Sequence, residues 1–317
     1  MKIHSLLAVS LFSVALFNCS PVSDQQKPDE SRFTPVVLTQ DLDEPMAFEV
    51  MRNGNVLIIE RKGGVKLYDA SADSTITVAN IPVNTKYTSK AGVVREAEEG
   101  LIGVTLDPNF EKNNWIYLYY AHPTESKHVL TRWEFINNKL VEASMKTVLE
   151  VETQRETCCH TGGGMTWDTD GNLYLTVGNN TGNALMAHTD ERPGRKNWDD
   201  QAHAANTNDL RGKILRIHPE EDGSYTIPEG NLFPPGTEKT RPEIYTMGHR
   251  NPWRISIDSK TGYIYWGEVG PDASVDSEIG PRGYDELNQA RKPGNFGWPF
   301  FVGPNAPFPY YDYEAGQ

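Results

Sequence analysis

From Phe33 onward the chain repeats one pattern of apolar and polar positions: an apolar strand, a turn built on Gly, Asn or Asp, then a second apolar or aromatic strand. Residues 46–50 (MAFEV) lead through Asn53-Gly54 to 56–59 (VLII), and residues 101–104 (LIGV) through Asp107-Pro108 to 115–119 (WIYLY). Residues 165–167 (MTW) lead through Asp170-Gly171 to 173–177 (LYLTV), and 255–257 (ISI) through Thr261-Gly262 to 263–266 (YIYW). Period-2 alternation broken by such turns predicts hairpins. The units recur at intervals longer than the roughly 40–50 residues of compact blades, which long insertions between strands account for. No stretch sustains a 3.6-residue period. The fold expected is therefore all-β, a β-propeller with decorated loops, with a pair of β-sandwiches as the alternative architecture.

Composition supports this picture. A length of 317 residues suits one large or two ordinary domains at roughly 150 residues each. With 38% hydrophobic and 23% charged residues, neither a disordered chain nor a polytopic membrane protein is expected. The 27 glycines and 21 prolines, many in turn-like dipeptides, favour short strands over helix bundles. A net charge of −13 repels phosphate backbones, so no nucleic acid partner is expected. Basic partners and divalent cations fit that charge better.

Residues 1–19 read as a leader: Met1-Lys2, an apolar run over 6–17, then Asn18-Cys19-Ser20. That order implies export, and the run is shorter than the roughly 20 apolar residues of a membrane-spanning helix. Leu16-Phe17-Asn18-Cys19 is similar to a lipoprotein box, in which Cys19 carries lipid and anchors the protein to a membrane; plain secretion is the other outcome. The location expected is periplasmic, or the outer membrane as a lipoprotein. Residues 20–32 read as a flexible tether, and 33–317 as the propeller domain. Adjacent Cys158 and Cys159 can form a vicinal disulfide in an oxidising compartment, and two separate reduced thiols are the other reading. The CxxCH spacing for covalent haem is absent.

Four clusters outside the strands carry chemistry. In Cys158-Cys159-His160-Thr161-Gly162-Gly163-Gly164, glycines allow close approach to the backbone and a histidine can accept a proton near neutrality. An ordinary hydrogen-bonded loop histidine is the alternative. Gly248-His249-Arg250-Asn251-Pro252 places a fixed cation and an amide in a stiff turn, and an arginine capping strand-end carbonyls is its plainer reading. Glu268-Val269-Gly270-Pro271-Asp272 is an irregular turn whose carbonyl oxygens suit calcium. Gly283-Tyr284-Asp285-Glu286-Leu287-Asn288, followed by residues 293–299 (PGNFGWP), reads alternatively as an acidic turn beside a packed tryptophan.

In this order the clusters resemble the soluble pyrroloquinoline-quinone (PQQ) dependent sugar dehydrogenases, the glucose/sorbosone dehydrogenase family. The likeness runs from about Phe33 to Val302, and its most specific stretches are 99–103 (EGLIG), 107–110 (DPNF), 160–163 (HTGG), 211–216 (RGKILR), 244–252 (IYTMGHRNP) and 295–299 (NFGWP). The resemblance implies a six-bladed propeller with PQQ in the central channel, of which about four blades are expected here, since family members continue beyond the fourth cluster. It implies that His160 removes the proton from a sugar's anomeric hydroxyl, that Arg250 stands beside the reacting centre and that Asn251 contacts the cofactor. It implies that the carbonyls of Gly270 and Pro271 hold a cofactor-bound calcium, and that Glu286 and the Phe296 carbonyl are ligands of a second, structural calcium. Glu98 stands where glucose-oxidising members carry a cofactor-contacting glutamine, and Cys159 where they carry a sugar-contacting aspartate.

The implied activity is oxidation of an aldose to a lactone, with electrons passed to an external acceptor such as a c-type cytochrome. No side chain accepts a hydride, so a cofactor is required. The alternatives are a calcium-dependent propeller lactonase or hydrolase and a non-catalytic extracellular binding propeller.

Overall fold

The alternation along the chain becomes a series of antiparallel sheets. The computed structural model describes residues 29–182 and 189–315. The leader, Cys19 and the first part of the expected tether lie outside the described residues. The chain through Val37 is a unit of its own, in which Glu30–Arg32 make one 3-10 turn. The second unit begins at Leu38 and holds the strands.

Its first blade is β1 (Pro45–Val50), β2 (Val56–Glu60), β3 (Gly64–Asp69) and β4 (Ser74–Asn80), paired in that order. A small hairpin of β5 (Lys86–Thr88) and β6 (Val94–Glu96) follows. The second blade is β7 (Leu101–Leu106), β8 (Trp115–Ala121), β9 (Lys127–Ile136) and β10 (Lys139–Glu152). The third runs β11 (Met165–Trp167), β12 (Leu173–Val177), β13 (Lys213–Pro219), then skips short β14 (Tyr225–Thr226) to reach β15 (Ile244–Met247). The fourth is β16 (Pro252–Ile257), β17 (Ile264–Glu268) and β18 (Glu286–Ala290). β19 (Gly294–Asn295) returns to pair parallel with β15, and β20 (Phe301–Val302) pairs with β21 (Ala306–Pro307). This is a propeller-like arrangement of four blades, as the hairpin pattern predicts.

Strict alternation gives way in the second strands to continuous burial: all five residues of β12 are buried. The reason is that a blade packs on both faces. Leu57, Ile59 and Leu67 of the first blade meet Leu101, Val104 and Ile116 of the second. Ile102, Tyr117 and Leu130, on the second blade's other face, meet Leu173, Leu175 and Ile217 of the third. Tyr174, Ile214 and Tyr245 meet Ile264, Trp266 and Ala290 of the fourth. Neighbouring positions such as Leu101 and Ile102 thus serve opposite interfaces, as strand geometry requires. Inner strands also approach backbone to backbone: a Cβ on Gly164 would collide with the Trp253 carbonyl. Among the described residues no helix is long and apolar enough to cross a membrane.

Candidate active site

The loops that precede the inner strands and follow the second strands gather at one end of the blades. The loop before β11 carries Cys158, Cys159 and His160. The two sulfurs are bonded to each other, with Cα atoms 3.7 Å apart. Cys159 and His160 lie at φ of 96° and 61°, a region that costs a side-chain-bearing residue about 1–2 kcal/mol. Neighbours hold this conformation: the His160 N–H donates to Glu98 Oε2 at 2.8 Å, and the His160 carbonyl accepts from the Asn180 N–H at 3.2 Å. The imidazole is buried, with Nδ1 2.8 Å from Asn179 Oδ1. Gly178 makes this packing possible, because a Cβ there would strike the His160 carbonyl.

The loop entering β16 closes on the same place. Asn251 Oδ1 accepts the Gly162 N–H at 3.1 Å, and the Arg250 carbonyl accepts the Asn179 N–H at 2.8 Å. Beneath it, at the end of β17, the buried Glu268 carboxylate anchors the turn. Its Oε1 accepts the N–H groups of Arg250 at 2.8 Å and Asn251 at 2.9 Å. Its Oε2 accepts Trp266 Nε1 at 2.9 Å and lies 3.0 Å from His249 Nδ1.

The Arg250 side chain is buried, and Nη1 donates to the Val269 carbonyl at 3.2 Å. It therefore does cap a strand-end carbonyl, as its plainer reading supposes, and Nη2 also stands 3.9 Å from Asp272. Burial draws its pKa below the ordinary guanidinium value, while Asp200, Asp272, Glu98 and Glu268 oppose that shift. A guanidinium starts so high that it stays charged.

Arg250, Gly270, Glu286 and Phe296 line one small, open cleft of about 20 Å³, together with Tyr284 and Trp298. The Pro271 carbonyl accepts the Ala273 N–H at 2.8 Å within its own loop. The alternative reading of this cluster as an acidic turn does not describe Glu286. Glu286 opens β18 because it pairs with Glu268 across the blade. Its carboxylate accepts the Gly303 N–H and, at 2.8 Å, Asn288 Nδ2. The Phe296 ring stacks on His249 and meets Trp266 edge-on, with centroids 5.4 and 4.7 Å apart. Among the described residues no three His, Cys, Asp or Glu side chains converge as a metal cage.

The family model described as Glucose / Sorbosone dehydrogenase matches residues 42–305. The chain belongs to the glucose/sorbosone dehydrogenase family. It is 26% identical to quinoprotein glucose dehydrogenase B of Acinetobacter calcoaceticus, over 99% of this chain and 63% of that protein. Among solved structures, a putative oxidoreductase (glucose dehydrogenase) from Thermus thermophilus superposes with a TM-score of 0.64 at 28% identity, covering 86% of this chain and 70% of that one. The PQQ-bound aldose sugar dehydrogenase of Streptomyces coelicolor shares the fold, with a TM-score of 0.61 at 24% identity over 86% of this chain and 68% of that one. The chain spans about three fifths of the length of the curated relatives it matches.

In this member of the glucose/sorbosone dehydrogenase family, His160, Glu98, Arg250 and Asn251 are joined through hydrogen-bonded loops, and Gly270 shares a cleft with Arg250. Three residues that the motifs did not single out for a role complete the arrangement. Glu268 holds the Arg250–Asn251 turn, while Asn179 and Asp200 lie behind His160. The Asn179-Asn180-Thr181 run directly after β12 and the Asp199-Asp200 pair are the signals that could have found the last two.

Proposed function

We propose that this protein oxidises an aldose at its anomeric carbon to a lactone, using PQQ and calcium and passing the electrons to an external acceptor. The observation that carries this reading is the hydrogen bonding that joins His160 to the Arg250-Asn251 loop, directly through Gly162 to Asn251 and by way of Asn179, which meets both His160 Nδ1 and the Arg250 carbonyl, within a chain of this family. The residues suit an anionic quinone. Arg250 supplies a fixed cation and Asn251 lies beside it, while the Gly270 carbonyl offers the hard oxygen that calcium prefers. Glu98, Asp200, Asp272 and Glu268 all act on Arg250; so many carboxylates would repel the anion alone, and a divalent cation bound with it offsets that repulsion.

PQQ, when bound, supplies the two-electron acceptor for the C1 hydride that no side chain can provide, and calcium polarises its reactive carbonyl. His160 takes the proton of the anomeric hydroxyl. Arg250 stabilises the negative charge that develops beside it. Glu98, through the His160 N–H, and Asn251, through the Gly162 N–H, keep the base in place. The linked Cys158-Cys159 pair is uncharged where glucose-oxidising members of the family carry an aspartate, so a different sugar preference is expected.

Because the calcium ligands are oxygen atoms of the backbone, removing the ion should matter more than altering nearby side chains. EGTA is expected to abolish PQQ binding, and calcium chloride to restore it. An absorbance titration of PQQ in calcium-free buffer checks this, and tight binding there would refute the calcium role.

The leader supports export, with lipid on Cys19 as the anchor. The intact mass of the native N-terminus is expected to begin at a lipidated Cys19, and an unprocessed Met1 would defeat export. A basic c-type cytochrome is the acceptor that the net charge of −13 favours. Its reduction rate should fall as salt rises, and a salt-independent rate would remove the electrostatic encounter.

A further inference from the structure

We propose that Asn179 and Asp200 are positioning residues that set the tautomer of His160, keeping the ring proton on Nδ1 and the basic lone pair on Nε2. The inference deepens the reading of His160 as the base and rests on it. It begins at Asp200, which is 1% exposed. Oδ1 of this carboxylate accepts from Asn179 Nδ2, from Thr181 Oγ1 and, at 3.3 Å, from Trp298 Nε1. An indole N–H can only donate, so this oxygen is an acceptor, and only the NH₂ end of the Asn179 amide can face it.

A second partner fixes the same orientation independently. The Thr181 backbone N–H, which can only donate, lies 3.3 Å from Asn179 Oδ1. With the amide held from both ends, Oδ1 is the atom that meets His160 Nδ1 at 2.8 Å. An amide oxygen can only accept, so Nδ1 must carry the hydrogen. A neutral imidazole has one N–H, which makes Nε2 the acceptor, the state a proton-abstracting base needs. The negative charge that usually orients such a base directly stands here one residue further back, relayed through a neutral amide.

The test is a two-bond ¹H–¹⁵N correlation spectrum of the whole protein labelled at histidine, recorded at about pH 8.5, above the ordinary imidazole pKa. The His160 signals are assigned by their loss in His160→Gln. A protonated Nδ1 and an unprotonated Nε2 are expected. In Asp200→Ala the signals should shift toward the other tautomer, with kcat falling about tenfold or more and KM changing less. The double variant Asn179→Asp/Asp200→Ala, which returns a carboxylate to the ring directly, should restore the Nδ1–H form.

A wild-type His160 protonated on Nε2 would overturn the proposal, and so would a folded Asp200→Ala that keeps the Nδ1–H tautomer. The wild-type spectrum needs neither a variant that folds nor sugar turnover. The expected spectrum in a protein that oxidises no sugar would therefore unseat the catalytic reading and leave the tautomer assignment standing.

Discussion

Replacing His160 by glutamine is expected to lower turnover by about 10²-fold or more, the range for loss of a positioned general base. Glutamine is close in size and keeps a polar tip, and the loop is held by backbone bonds, the His160 N–H to Glu98 and the His160 carbonyl to Asn180. The fold and cofactor affinity should change little. On the proposed mechanism the loss belongs in kcat, because a general base acts in the chemical step rather than in binding. Steady-state kinetics on the reconstituted protein decides it, and unchanged turnover would remove His160 from the mechanism.

The second large effect is expected at Glu268, and it is structural. Truncating Glu268 to alanine strips an acceptor from the Arg250 N–H, the Asn251 N–H and Trp266 Nε1, and a partner from His249 Nδ1. These groups are buried, and each buried donor left unsatisfied costs about 1–3 kcal/mol. Relaxation will recover part of that, so a net loss of about 3 kcal/mol is expected. Urea unfolding should show a lower midpoint at an unchanged slope. Glu268→Gln keeps one acceptor oxygen and should lie between the two. A wild-type midpoint in Glu268→Ala would mean that the carboxylate does not hold the Arg250–Asn251 turn.

The hairpins were legible because their turns are local. Gly54, Gly171 and Gly262 adopt φ of 85°, 80° and 70°, which the Asn-Gly, Asp-Gly and Thr-Gly pairs announce with no knowledge of the rest of the chain. The inner strands were legible as apolar runs, but which face each residue serves depends on the neighbouring blade. What escaped is long-range. Glu286 looked like part of a turn because its strand exists only by pairing with β17, and the β15–β19 pairing joins Thr246 to Gly294.

The site divides the same way. His160, Arg250 and Asn251 sit in short motifs with turn chemistry of their own. Asn179 and Asp200 are ordinary polar residues until folding brings Trp298, from beyond the fourth blade, against Asp200. Polarity alone gives no sign of such a relay, since its meaning lies in which partner can only donate and which can only accept.

The central claim is a PQQ- and calcium-dependent sugar oxidation, and reconstitution tests it most directly. PQQ is titrated into the whole protein with calcium present, followed by absorbance, and a panel of aldoses is then offered with an artificial dye as acceptor. Saturable PQQ binding and dye reduction that requires PQQ, calcium and an aldose together are the predicted result. Absence of PQQ binding in the presence of calcium, or dye reduction indifferent to the cofactor, would contradict it.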